Sequence, residues 1–186
     1  MEKSLKVNFL PVPNKVLYAL VGGNGSGKST FYQQFLAGKD IPFYNADEFA
    51  KKNFQDNPEV HSYEAAKIVA KQRLAAVHAG LSFCFETVFS HISKVDFLAL
   101  AKGFGYTVNL IYIHLDDPTT NIARVISRVN TGGHNVPTDK IINRIPRTME
   151  NVKRAIPFCD NVLFYDNNSI ERPFTLIAKL DPKISS

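Results

Sequence analysis

The chain has 186 residues, a formal net charge of +5, 45% hydrophobic and 21% charged residues. This length suits one globular domain, and the composition is too apolar for intrinsic disorder and lacks the bias of collagen or low-complexity sequence. No run of about 18 apolar residues exists to span a bilayer, and Pro11, Pro13, Asn14 and Lys15 interrupt any signal-peptide core. The expectation is therefore a cytoplasmic protein, a single domain over 1–186, with no membrane partner. Cys84 and Cys159 are far apart and flanked by apolar residues, which predicts small buried hydrophobes rather than a disulfide framework or a zinc site.

In chain order, Lys15–Val21 is an apolar, β-prone run that enters the glycine-rich stretch Gly22-Gly23-Asn24-Gly25-Ser26-Gly27. A helix is expected over Ser29–Leu36, stopped by Ala37-Gly38, followed by a short strand Ile41–Tyr44. Helical spacing of Ala65, Ile68, Val69 and Leu74 predicts a helix from about Glu59 to His78, ended by Gly80. Strands are expected at Leu81–Phe85, Tyr106–Leu115 and Asn161–Tyr165, with a terminal strand or edge element at Phe174–Leu180. Helices are expected at His91–Lys102, Pro118–Val129 and Thr138–Ala155, with a kink at Pro146. Alternating strands and helices predict an α/β fold, an open and mostly parallel sheet of five or six strands with helices on both faces. Its ligand site belongs at the carboxyl ends of the strands.

Gly22-x-x-x-x-Gly27-Lys28-Ser29 matches G-x-x-x-x-G-K-[ST] and lies between a strand and a helix, the context that gives this motif its meaning. Backbone N–H groups from Gly22 to Thr30, with Gly23, Asn24, Gly25 and Ser26 between, would surround phosphate oxygens. Lys28 would reach the β- and γ-phosphates of ATP or GTP, Ser29 would ligate Mg²⁺, and the helix start adds its positive end.

Two carboxylates fall on the same sheet edge: Asp47 after the second strand and Glu86 at the end of the third. Either can accept a hydroxyl proton or hold Mg²⁺ through water; Asp47 also fits a helix N-cap, and Glu86 a hydrogen bond to the loop. The positive charge is local. Between Ala123 and Arg154 there are seven basic residues and two acidic ones, so the rest of the chain balances to zero. Arg124 and Arg128 share one helix face and Arg144 and Arg147 the next, with Thr131-Gly132-Gly133-His134-Asn135 between. A lid of about residues 118–155 closing arginines over a γ-phosphate accounts for them. Asp116-Asp117-Pro118 reads as a helix cap, and Asp166-Asn167-Asn168-Ser169 as a base-binding loop or a plain turn.

The P-loop, Asn45-Ala46-Asp47-Glu48-Phe49, Phe85-Glu86-Thr87, the Gly132-Gly133-His134-Asn135-Val136-Pro137 loop and Arg144-Ile145-Pro146-Arg147 together resemble the zeta-toxin family of P-loop kinases, in its small branch of predicted ATPases. The resemblance implies phosphorylation of a UDP-activated amino sugar, such as UDP-N-acetylglucosamine, by ATP or GTP with Mg²⁺. It implies Asp47 as base, Lys28 and Ser29 on phosphate and metal, and Glu86 and neighbouring Thr87 on the substrate. One arginine of the 124/128 pair and one of the 144/147 pair would hold the transferred group, and a small helical antitoxin would be the protein partner. Asn45 and Thr87 depart from the family pattern, which often has an acidic residue and a glycine there. Kinases of other small metabolites, a polynucleotide or tRNA kinase and a nucleotide-dependent switch are the alternatives; nucleic acid is the less favoured partner, because a lid already accounts for the arginines.

Overall fold

The computed structural model describes residues 14–129 and 135–182. The Gly132-Gly133-His134 part of the expected lid loop and the N-terminal Lys3, Lys6, Pro11 and Pro13 lie outside the described residues. The strands are β1 (Val16–Val21), β2 (Phe43–Tyr44), β3 (Phe83–Thr87), β4 (Thr107–His114), β5 (Asn161–Asp166) and β6 (Thr175–Leu180), in the spatial order β2-β3-β1-β4-β5-β6. All pairings are parallel except β5 with β6, which is antiparallel.

β1 lies between β3 and β4 and reads VLYALV, the near-continuous apolar run of a strand covered on both faces. Its alternation divides the core. Leu17, Ala19 and Val21 join Phe83, Phe85, Leu98 and Val108 on one face. Leu20 joins Phe31, Leu36, Cys84 and Ile113 on the other, so one strand serves two hydrophobic layers. Both cysteines are buried and unpaired. β6 is exposed along its length, and its antiparallel pairing closes one edge of the sheet.

The helices are α1 (Lys28–Phe31), α2 (Ala46–Asn53), α3 (Ser62–Ala79), α4 (Ser93–Gly103), α5 (Pro118–Val129) and α6 (Thr138–Ala155). None among the described residues is long and apolar enough to cross a membrane. The first differs from expectation. The helix expected over Ser29–Leu36 is a single α-turn that widens into a π-helix at Tyr32–Leu36 and ends in a 3₁₀ turn at Ala37–Lys39. The change accompanies divergent aromatic packing: Phe31 meets Tyr165 and Phe174 at 4.9 and 5.3 Å, while Tyr32 stacks on Phe43 at 3.6 Å. α6 spans Thr138–Ala155, as expected, with Pro146 inside it.

The order of the sheet places the carboxyl ends of β1, β2, β3 and β5 along one edge, with β1 at the switch point where connections leave in opposite directions. The glycine loop, Asp47, Glu86 and Asn167 all emerge there.

Candidate active site

The loop from Gly22 to Gly27 is braced from two sides. Asn121 of α5, 2% exposed, donates its side-chain amide to the Asn24 carbonyl at 2.6 Å. Asn167, just after β5, donates to the Ser26 carbonyl at 2.8 Å. These contacts leave no room for side chains at the glycines beneath them. A Cβ on Gly25 (φ +75°) would stand 2.5 Å from the Asn121 carbonyl oxygen, and one on Gly27 (φ +98°) 2.5 Å from the Asn167 amide nitrogen. The braces thus hold the backbone in a shape whose N–H groups can ring an anion.

At the end of the loop, Lys28 is buried, and its ammonium donates to the Gly23 carbonyl at 2.9 Å and lies 3.7 Å from Glu86. Burial lowers its pKa, against the opposing pull of Glu86 and Asp47. The Ser29 hydroxyl donates to Glu86 Oε2 at 2.8 Å, and the Asn45 amide donates to the same oxygen at 2.9 Å. Glu86 is therefore gathered onto the phosphate loop rather than standing apart from it.

Asn45 has a second role. It is the N-cap of α2, its Oδ1 accepting from the N–H groups of Asp47 at 2.8 Å and Glu48 at 3.3 Å. The cap therefore falls on Asn45, and Asp47 occupies the first helical turn. Its carboxylate lines a cavity of about 490 Å³ together with Lys28, Glu86 and Thr87. The same cavity is bounded by the loop after β3, which α6 holds: Thr148 donates to the Val88 carbonyl at 2.7 Å and Asn151 to the Phe89 carbonyl at 2.9 Å. Thr87 accepts from the Phe89 N–H at 3.0 Å within that loop, where Phe89 takes a positive φ of 67°.

A second cavity of about 540 Å³ opens on the other side of the loop and is lined by Gly27, Ser29, Thr30, Arg124, Asn167 and Ile170 among others. The two cavities share Gly25, Lys28, Glu86 and Arg128, so they meet at the phosphate loop. Arg124 donates to the Asn167 carbonyl at 2.9 Å, and Arg144 to the Asn24 side chain at 3.3 Å while lining the first cavity. Arg147 is exposed and lines neither of these cavities. Asp117 accepts from the Thr119 N–H at 2.8 Å at the start of α5, as a cap does.

Sequence reasoning passed over Asn121, Arg73 and Lys94. Asn121 carries no motif. Arg73 and Lys94 reach the 490 Å³ cavity from α3 and α4, elements whose pattern reads only as core-packing helices.

A nucleotide fits these donors. The braced backbone, the buried Lys28 and the Ser29–Glu86 pair present N–H groups, an ammonium and hard oxygen atoms at one point, the donor types that triphosphate and Mg²⁺ require. No cluster of three or more His, Cys, Asp or Glu among the described residues forms a separate metal site. Fold and site together define a P-loop kinase, a nucleotide-dependent phosphotransferase architecture. A sequence model of the zeta toxin family matches residues 3–172, and the chain belongs to that family.

An uncharacterised protein of Haemophilus influenzae is 29% identical over 126 residues, covering 68% of this chain and 89% of its own. Among solved structures, the AvrRxo1-ORF1:-ORF2 complex with ATP gives a TM-score of 0.70 at 17% identity, over 91% of this chain. This chain spans 59% of the length of that one. The PezAT chromosomal toxin–antitoxin system of Streptococcus pneumoniae gives 0.66 at 17% identity, over 94% of this chain and 75% of that one. These likenesses establish the fold.

Proposed function

We propose that the protein transfers the γ-phosphoryl group of ATP or GTP to a hydroxyl of a small acceptor, with a UDP-amino sugar such as UDP-N-acetylglucosamine as the acceptor best supported by family membership. The observation that carries the reading is the pair of cavities meeting at Lys28 and Glu86, one bounded by Asn167 and Ser169 after β5 and the other by Asp47. A volume of about 490 Å³ suits a small molecule. Arg124, Arg128, Lys140 and Arg144 line cavities rather than forming a stripe on the outer face, which favours a small acceptor over a nucleic-acid backbone.

In this reading the nucleotide occupies the Arg124 side and the acceptor the Asp47 side. Asp47 takes the hydroxyl proton as the oxygen attacks. Lys28 and Arg128, which face both cavities, stabilise charge on the group in transit, with Arg144 approaching from α6 and Arg124 from α5. Ser29 and Glu86 would hold Mg²⁺, which when bound neutralises phosphate charge. The segment of about 118–155 acts as a lid, already in contact with the loop through Asn121 and Arg144. Arg147 would engage only on further closure. Because the PezAT structure comes from a toxin–antitoxin system, a small antitoxin protein covering the nucleotide side is the partner we assign.

The test is a split between binding and transfer. Asp47→Asn should bind nucleotide as the wild type does and lose transfer by about 10²–10⁴-fold. Near-wild-type turnover in that variant would remove Asp47 from the role of base.

A further inference from the structure

The 490 Å³ cavity holds a feature that phosphoryl transfer leaves unexplained. Arg73 of α3 is only 6% exposed and lines the cavity wall. Its guanidinium sits over the rings of Phe85 at 4.6 Å and Phe97 at 5.0 Å, and those rings stand at 90° to each other. The rings attract a cation through their faces but accept none of its N–H groups in the manner of an oxygen. The buried Nε of Arg73 has no hydrogen-bond partner, and no carboxylate among the described residues forms an ion pair with it.

Lys94, one helical turn before Phe97, lines the same wall. It is half-buried, and burial together with the charge of Arg73 lowers its pKa to about 8, as expected of two cations set side by side. Neither Asp47 nor Glu86, the carboxylates lining the cavity, forms an ion pair with Arg73 or Lys94 among the described residues; Glu86 is engaged at the phosphate loop by Lys28, Ser29 and Asn45. Two cations on the wall of one cavity, neither with an ion-pair partner among the described residues, form a site suited to an anion. His91 and Lys140 on the same lining add donors and leave the balance positive.

We infer that Arg73 and Lys94 form an anion subsite that seats a phosphate group carried by the acceptor, away from the hydroxyl that Asp47 deprotonates. Arg73 offers a fork of donors held in place by Phe85 and Phe97, and Lys94 a mobile point charge; together they match a phosphate better than a singly charged carboxylate. The subsite would orient the acceptor by its far end and exclude neutral analogues of the same shape. This inference rests on the reading of the cavity as the acceptor side of a kinase.

The experiment titrates inorganic phosphate into protein saturated with Mg²⁺ and a non-hydrolysable ATP analogue, so that the phosphate loop is filled, and reads binding by phosphorus NMR. Acetate serves in a parallel titration. The wild type should bind phosphate in preference to acetate. Arg73→Met and Lys94→Gln should each weaken phosphate binding by about ten-fold or more, and Arg73→Lys should recover part of the loss. Affinity for the ATP analogue reports that each variant is folded, and Lys94→Gln, at a half-buried site, covers the case in which Arg73→Met fails to fold. Absence of phosphate binding in the wild type, equal phosphate affinity in Lys94→Gln and a folded Arg73→Met, or a preference for acetate would overturn the assignment. In a parallel transfer assay, loss of Lys94 should raise KM for a phosphate-bearing acceptor and leave kcat nearly unchanged. Arg73-dependent phosphate binding without transfer to any acceptor would sink the kinase reading alone; transfer with a KM indifferent to Lys94 would sink the subsite alone.

Discussion

Lys28 and Asn45 beside the phosphate loop, and Lys94 across the cavity, show how single residues shape the site. Lys28 holds a charge that burial opposes, and Glu86 and Asp47 sustain it. Lys28→Ala should reduce transfer by at least about 10²–10³-fold and weaken nucleotide binding, as a donor lost from developing charge does; a calorimetric titration with an ATP analogue beside a turnover assay checks both effects. Asn45 matters because it caps α2 and holds Glu86 at once, leaving the Asp47 side chain on the cavity wall. At Lys94 the pKa falls from 10.5 to about 8 by burial and by Arg73, so the folded protein pays for its charge below about pH 8. Between pH 8 and 10.5 the unfolded chain binds the proton and the folded one does not, so this cost shrinks as pH rises. The stability of the wild type relative to Lys94→Gln should therefore increase across that window in urea unfolding, and a constant difference would contradict the burial of the charge.

At the scale of elements, the phosphate loop owes its shape to its neighbours as well as to its glycines. Asn121 on α5 and Asn167 after β5 each satisfy a loop carbonyl, so both elements must dock for the loop to be formed. Asn121→Ala should leave the Asn24 carbonyl without its buried donor, cost about 1–3 kcal/mol of stability and raise the nucleotide KM, measured by denaturant unfolding and by initial rates. An unchanged KM would show that the loop holds its shape without α5. α5 and the loop are thus joined through Asn121.

The elements themselves were largely legible in the amino-acid order. The run at β1, the P-loop after it and the bounds of α5 and α6 could be read from apolar periodicity, glycine spacing and capping residues. The π-turn after α1 could not, because it accompanies contacts between Phe31, Tyr32 and partners far along the chain. Asp47 and Glu86 were visible as carboxylates at strand ends. The gathering of Glu86 onto Ser29 and Asn45, and the arrival of Arg73 and Lys94 at one cavity, depend on α2, α3 and α4 packing round β3, which no local pattern encodes.

For the molecule as a whole, the two cavities share Lys28, Glu86, Gly25 and Arg128, so under the proposed function donor and acceptor would be bound together when the group moves. Initial-rate plots against both substrates should intersect, as for a ternary complex, whereas parallel lines would indicate a phosphorylated enzyme intermediate. Membership of the zeta toxin family and the P-loop kinase fold support nucleotide-dependent phosphotransfer. The most direct measurement incubates the purified protein with Mg²⁺ and γ-labelled ATP or GTP, against UDP-amino sugars, simple sugar phosphates, neutral sugars and oligonucleotides. Label is expected on UDP-N-acetylglucosamine or another small phosphate-bearing acceptor, lost in Lys28→Ala and in Asp47→Asn. Label confined to oligonucleotides, or released only as inorganic phosphate whatever acceptor is supplied, would contradict the proposed function.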